Sequence, residues 1–438
     1  MHQWFADRIF RKSLKNASWL LGGRIFTGAA SLVYLGLTTR SLGVTGFGVY
    51  VLIQTYIQVI IDLTTFQSSQ AVIRYGAICL QQNDKVAFQQ LIKFTTLLDL
   101  LGALVGFAIA IGLTPTIATY MGWDQGIITQ VQWSSLLILF SPVPTPRGLL
   151  QLCNRFDLLA LQLTIYATVR LIGTIGASMW YPSLAGYLVV WWLAEGLSGL
   201  FLIVFGWREA GRQGLLSGID RSLLHLTQFH PGLLKFCIVS NFHSSLPIVM
   251  RQSSPLVIGL IAAPSAVGLF QVSWELSTPL KEIAQLLTQA FYPEFAYLSS
   301  EAKWLQLKSL VLKSTAIALG IGILLLGISI GCGQIVLQQV FGAAFVPGYG
   351  VFVLLVAAEL FAMGSSGLEA ALFALGRPEF SLQVNAIVIL GVYLPLLLVL
   401  THFFGIIGAG IAALIPTMLI LVLESLLTWN QLHRRLSL

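Results

Sequence analysis

"SWLLGGRIFTGAASLVYLGLT" (18–38) is a run of apolar and small residues interrupted by a single charge, Arg24. At about 1.5 Å of rise per residue, a helix of this length crosses the roughly 30 Å hydrocarbon core of a bilayer. Eleven comparable runs follow, at 47–68, 94–113, 129–151, 158–180, 184–206, 233–259, 266–290, 309–333, 350–373, 382–404 and 406–428. The chain is 56% hydrophobic and 9% charged, where soluble domains carry roughly a quarter charged residues. The pattern predicts an all-α integral membrane protein with twelve transmembrane helices and no connection large enough for a globular domain.

The basic residues orient the runs. Of 24 Lys and Arg, nineteen fall at one set of borders, from Arg8, Arg11, Lys12 and Lys15 through to Arg434 and Arg435. Only Arg40 falls on the opposite side, and Arg24, Arg170, Arg251 and Lys281 lie within runs. Such a bias marks the cytoplasmic side, so both termini are expected there. The charge of +7 is thus spread along membrane borders rather than gathered into a nucleic-acid-binding patch. Residues 1–17 oppose Trp4, Phe5, Ile9 and Phe10 to the basic residues, the pattern of an interfacial helix. No small-residue cleavage site follows the first run, so it is expected to be retained.

Two stretches echo each other. "TGFGVYVL" (45–52) matches "SAVGLFQV" (265–272) at an offset of 220, and "LLQLCNRFD" (149–157) matches "ALFALGRPE" (371–379) at 222. A duplication of a six-helix unit gives halves of the same orientation, and parallel repeats of this kind enclose a substrate path in transporters. The expected organisation is an interfacial segment (1–17), an N-terminal lobe (18–206), a cytoplasmic linker (207–232), a C-terminal lobe (233–428) and a cytoplasmic tail (429–438), with the two parallel lobes around a central cavity.

Four basic residues facing lipid would together cost about 10 kcal/mol, so they are expected to face water or a partner. Arg24 shares a helix face with Thr27, Gly28, Ser31, Tyr34 and Thr38. Arg170 shares one with Tyr166, Gly173 and Thr174, and Arg251 follows Asn241, Ser244 and Ser245. The second run aligns Gln54, Gln58, Asp62 and Thr65. The eighth aligns Gln271, Glu275, Thr278, Glu282, Gln285 and Gln289, with Lys281 alongside. Arg24, Arg170, Arg251 and Lys281 are therefore candidates for binding an anionic substrate. Asp62, Asp99, Glu275, Glu282, Glu359 and Glu369 are candidates for coupling or gating, through a proton or sodium gradient. The structural alternative pairs Arg24 with Asp62, Lys281 with Glu282, and Arg170 with Asp99 or Glu195. Glu424, near the inner border, reads as solvated. Pro142, Pro144 and Pro146 in the fourth run, Pro247 and Pro255 in the seventh, and Pro279 in the eighth are expected to break their helices.

Chemistry-bearing motifs are few. No Gly-rich phosphate loop with its Lys is present, His225, His230 and His243 lack metal-ligand spacing, and no cofactor is implied. Cys79, Cys153, Cys237 and Cys332 are dispersed one per region and read as apolar fillers.

"NASWLLGGRIFTGAASLVYLGLTTRSLGVTGFGVYVLIQTY" (16–56) resembles the opening of the polysaccharide-export flippases, within the multidrug/oligosaccharidyl-lipid/polysaccharide exporter superfamily. "QAVIRY" (70–75), "AVGLFQVSWEL" (266–276), "ALFALGRPEF" (371–380) and "GIIGAGIAA" (405–413) are similar pieces across both lobes. The resemblance implies transfer of undecaprenyl-diphosphate-linked oligosaccharide between leaflets, with Arg24 at the family's basic position in the first helix. The substrate and membrane lipids would be its partners, with a polysaccharide polymerase and a chain-length regulator beside them, and no nucleic acid. Where the family pattern carries an acidic residue in the seventh helix, this chain has Arg251–Gln252–Ser253–Ser254–Pro255. That departure favours an anionic ligand. An ion-coupled exporter of organic cations and a non-transporting scaffold of an envelope polysaccharide complex remain the other readings. The polymer, whether O-antigen, capsule or exopolysaccharide, is left open.

Green fluorescent protein fused at either terminus is expected to fluoresce, and alkaline phosphatase at either terminus to be inactive. Active phosphatase at one end would overturn the orientation.

Overall fold

The computed structural model describes residues 8–218 and 233–436, which form helices and short turns with no strand among the described residues. In the N-terminal part, α1 (Arg8–Thr64) is followed by α2 (Ser68–Gln81), α3 (Lys85–Met121), α4 (Gln125–Ser135), α5 (Pro144–Leu152), α6 (Phe156–Trp180) and α7 (Leu184–Arg212). Then come α8 (Leu233–Ile261), α9 (Pro264–Ser300), α10 (Trp304–Val336), α11 (Tyr349–Ala374), α12 (Pro378–Val388) and α13 (Leu394–Leu436). Eight segments among the described residues are long and apolar enough to cross a membrane. Two of them, Gly22–Gln81 and Pro378–Leu436, are 60 and 59 residues long and bend at glycines with left-handed backbone, Gly43 (φ 67°) and Gly405 (φ 58°). A residue with a Cβ is strained there, so glycine lets one apolar stretch fold back into the membrane. Residues 1–7 of the expected interfacial segment, 219–232 of the expected linker, and the side chains of Asn241, Ser244, Ser245, Gln285 and Gln289 lie outside the described residues.

The chain divides into two compact units, Met1–Leu42 with Ile53–Ile248, and Gly43–Leu52 with Val249–Leu438. The boundaries fall inside α1 and α8 rather than in the 207–232 connection. Packing explains this for α8: its residues Leu233 and Cys237 are buried against Ala71 and Leu91 of α2 and α3. Residues 43–52 are held in the second unit by a close crossing with α9. A Cβ at Gly48 would fall 1.8 Å from the Pro264 carbonyl oxygen, and one at Gly268 2.4 Å from that of Val44. These are the two glycines aligned by the 220-residue echo.

The echo extends to backbone detail. Asn154 (φ 56°) and Gly376 (φ 73°), 222 apart, each end a helix in the left-handed conformation. The next residue bonds back in both: Arg155 N–H donates to Leu150 O at 2.8 Å, and Arg377 N–H to Leu372 O at 2.9 Å. Asn83 (φ 55°) and Ala302 (φ 53°) repeat the device at 219, with Asp84 N–H on Cys79 O and Lys303 N–H on Leu298 O. Arg155 and Arg377 then clasp Asp157 and Glu379 in the first turns of α6 and α12.

The expected breaks need correction. The fourth run is interrupted as expected: α4 gives way to a 3₁₀ turn (Leu136–Phe140) and a gap before α5, with Pro144 at its first turn. By contrast, α8 runs through Pro247 and Pro255, and α9 through Pro279 and Pro293. Around Pro255 the helix is braced from another helix: Tyr393 Oη donates at 2.9 Å to the carbonyl of Met250 and pairs with Ser254 Oγ at 2.6 Å. The second run, which has no proline, is the one that breaks, at residues 65–67.

Gly48→Val and Gly268→Val are each expected to destabilise the protein by about 1–3 kcal/mol through overpacking. Gly196→Ala, where a Cβ meets nothing within 4 Å, should be near neutral. Thermal unfolding in detergent reads the difference.

Candidate functional site

In the first unit the two interruptions are fastened by one carboxylate. Asp99 on α3 is 3% exposed. Its Oδ1 accepts from Ser68 Oγ at 2.6 Å, where α2 restarts the second run. Its Oδ2 accepts from Thr145 N–H at 3.0 Å and Thr145 Oγ1 at 2.7 Å, where α5 restarts the fourth. One and two turns along α3, Gly102 and Gly106 leave room for the broken end of α1; a Cβ at Gly102 would lie 2.2 Å from the Thr64 carbonyl oxygen. On the far side, Gly206 of α7 admits Pro146, and Gly148 of α5 admits Val72.

Between the interruptions lies a cavity of about 300 Å³. From α1 come Gln58 and Asp62, one turn apart, with Gln58 Nε2 donating to Asp62 Oδ1 at 2.8 Å. α5 contributes Arg147, exposed into the cavity, and α6 contributes Gln162. α7 presents Trp191, Glu195, Ser198 and Leu202, spaced as one helix face. Gln162 donates to Ser198 Oγ. Glu195 accepts from Trp191 Nε1 at 3.3 Å and lies within electrostatic reach of both Arg170 and Arg147. Below this region, at the end of α7, Arg155 joins Asp157 and Glu209 at 2.8 Å each. The Arg155 guanidinium holds the Asp157 carboxyl below the usual carboxylate range.

The ten candidates divide by position. Asp62 lines the cavity. Arg170 is 4% exposed, with its guanidinium 4.6 Å from the Tyr34 ring centre and 5.8 Å from that of Tyr166, behind Glu195; of its two expected partners Glu195 is adjacent, while Asp99 is engaged with Ser68 and Thr145. Arg24 is exposed on the side of α1 next to Gly23, which packs on Ala160. Arg251, Lys281, Glu282 and Glu369 are exposed in the second unit, and Glu275 accepts from Gln271 Nε2 at 2.9 Å. Lys281 acts electrostatically on Glu359, one helix away on α11. Glu424 is buried, not solvated: it is 1% exposed, accepts from Ser381 Oγ at 2.8 Å, and lies near Glu369.

The sequence reading assigned Arg147 to the inner border and did not group Glu195 with Gln162 and Ser198. The 191–195–198–202 spacing on the sixth run was the available signal.

This helical architecture, with its interrupted helices and charges held within spans, is the fold of the MOP-superfamily transporters. The chain superposes on an inward-facing multidrug resistance MATE family transporter of that superfamily with a TM-score of 0.72, at 14% identity over 95% of this chain and 96% of the other. It superposes equally, at 0.72, on the lipid II flippase MurJ in an inward closed conformation, at 12% identity over 95% and 89%. By sequence it belongs to the polysaccharide biosynthesis protein family, whose pattern matches residues 13–299. The inner membrane protein YghQ of Escherichia coli (strain K12) is 28% identical over 362 residues, covering 79% of this chain and 97% of that protein.

Asp99→Ala leaves two hydroxyls and a buried N–H without their acceptor and is expected to cost about 2–4 kcal/mol. Asp99→Asn should be milder. Unfolding temperatures in detergent check this; an unchanged temperature for Asp99→Ala would show that the clasp carries no stability.

Proposed function

We propose that the protein is a flippase that carries undecaprenyl-diphosphate-linked oligosaccharide repeat units across the cytoplasmic membrane by alternating access, for surface polysaccharide biosynthesis. It is a transporter rather than an enzyme, with twelve crossings and both termini in the cytoplasm. The observation that supports this reading is that Arg24 is exposed within an apolar segment long enough to cross a membrane, and Arg251 and Lys281 are exposed on α8 and α9, in a chain of the polysaccharide biosynthesis family. A diphosphate head carries about two negative charges, and guanidinium groups contact phosphate in bidentate fashion. In a low-dielectric setting such cations select an anionic head group and disfavour organic cations.

The acidic residues Asp62, Glu275, Glu282, Glu359 and Glu369 are proposed to carry coupling to a proton or sodium gradient. The juxtaposition of Lys281 and Glu359 supports this at one point, because a basic group beside a carboxylate responds to its protonation or ion binding. The polysaccharide polymerase and chain-length regulator are proposed as partners of the same envelope machinery. The likeness to a multidrug transporter supports a second reading, an ion-coupled exporter of organic cations.

Arg24→Ala, Arg251→Ala and Lys281→Ala, each expressed in a strain lacking the native copy, are expected to lower surface polysaccharide by about tenfold or more, the scale of one lost charge-assisted contact. Normal polymer in all three, with drug resistance lost in Glu282→Gln, would replace the flippase by the exporter. Normal polymer with no resistance phenotype would leave the scaffold reading.

A further inference from the structure

We infer that the cavity of the first unit is a saccharide subsite, holding one sugar residue of the lipid-linked head group while the diphosphate is held elsewhere. The inference rests on the flippase reading and adds a place for the sugar. The cavity wall carries Arg147 against two carboxylates, Asp62 and Glu195, and Arg170 is covered behind Glu195. A phosphate dianion placed there would face two like charges, whereas a neutral polyol would not. The exposed basic residues Arg24, Arg251 and Lys281 do not line this cavity.

The remaining chemistry fits a polyol. A sugar ring offers hydroxyls that both donate and accept, and two faces of C–H groups. Carboxylates accept from hydroxyls, while a guanidinium and carboxamides donate to them. Asp62 and Glu195 supply the acceptors, and Gln58 and Gln162 supply amides with both functions. Arg147 supplies donors: it is exposed into the cavity, and among the described residues no side chain hydrogen-bonds its guanidinium, which is influenced by the Glu195 charge through space. Phe66 and Phe140 give aromatic surface for the C–H faces. At about 300 Å³ the cavity is at the small end of ligand sites, room for a single sugar residue rather than a whole repeat unit. The site is also rigidly framed, because the Asp99 clasp fixes both interruptions that bound it.

The test uses purified full-length protein in lipid nanodiscs and four probes: undecaprenyl diphosphate without sugar, the same lipid carrying N-acetylglucosamine, the same lipid carrying galactose, and free N-acetylglucosamine. Binding is measured by native mass spectrometry for wild type, Gln162→Leu and Arg147→Gln, with unfolding temperature as a check on folding. At least one sugar-bearing lipid is expected to bind about tenfold more tightly than the bare lipid, the scale of two net hydrogen bonds. That margin should shrink to about twofold in both variants, while bare-lipid binding is unchanged. A photoreactive sugar on the preferred lipid should label residues 58–69 or 191–202, a readout that needs no variant. Equal binding of all three lipids, a margin that survives both variants, or labelling confined to other segments would overturn the subsite and leave the flippase reading standing. Free sugar binding as tightly as the lipid-linked form would overturn the head-group assignment. Failure of every lipid to bind would instead sink the flippase reading itself.

Discussion

A helix interrupted at membrane depth must find partners for the backbone groups it releases, because the hydrocarbon offers none. The first unit contains two interruptions, one at the end of the second run and one within the fourth, and α3 meets both. Asp99 takes the hydroxyl of Ser68 on one oxygen and the amide and hydroxyl of Thr145 on the other, all within hydrogen-bonding distance. Gly102 and Gly106, on the same face of α3, let the end of α1 approach so closely that any side chain would clash. The restart of α5 is gripped from the other side by Gly206 of α7. The cavity exists because these breaks are held apart at fixed positions. Without the clasp, the hydroxyls of Ser68 and Thr145 and the Thr145 N–H would lose a buried acceptor.

The second unit lacks the break at the end of the second run. Two of its turns repeat those of the first unit in left-handed geometry and in an Arg-acidic clasp. Yet α9, the counterpart of the broken second run, is continuous through two prolines. Its charges are accordingly displayed along helix faces, as Glu275, Lys281 and Glu282, rather than gathered around a gap. Duplicated scaffolds thus diverge by where the backbone is cut, and the cut decides whether polar groups form a wall or a stripe.

The sequence was most legible where the membrane itself dictates the pattern. Apolar length gave the helical class, and proline density found the interruption before α5, because three prolines in five residues leave too few N–H donors for a helix. Single prolines misled. The helix through Pro255 is braced by Tyr393, which reaches back across 143 residues to Met250, a bond no local pattern announces. The break at 65–67 carries neither glycine nor proline and is set by tertiary packing on Gly102. That Arg147 also lines a cavity could not be read from its charge, because helical phase is lost at the 3₁₀ turn and gap, and the face that α5 presents cannot be counted from α4.

The intramembrane charges then sort themselves by how they are compensated. Arg170 is covered, stacked near Tyr34 and Tyr166 and adjacent to Glu195; a buried cation so placed orients a carboxylate and is costly to disturb. Asp99 and Glu424 are likewise buried and bonded, which makes them parts of the frame. Arg24, Arg251 and Lys281 are exposed on their helices, where water or an anion can reach them. Asp62, Glu195 and Arg147 form a third class, of mixed sign around a small cavity. On the proposed reading, the phosphorylated end of the ligand would suit the basic residues and its neutral polar end the mixed wall. A small organic cation would match the mixed wall but would be opposed by the exposed basic residues.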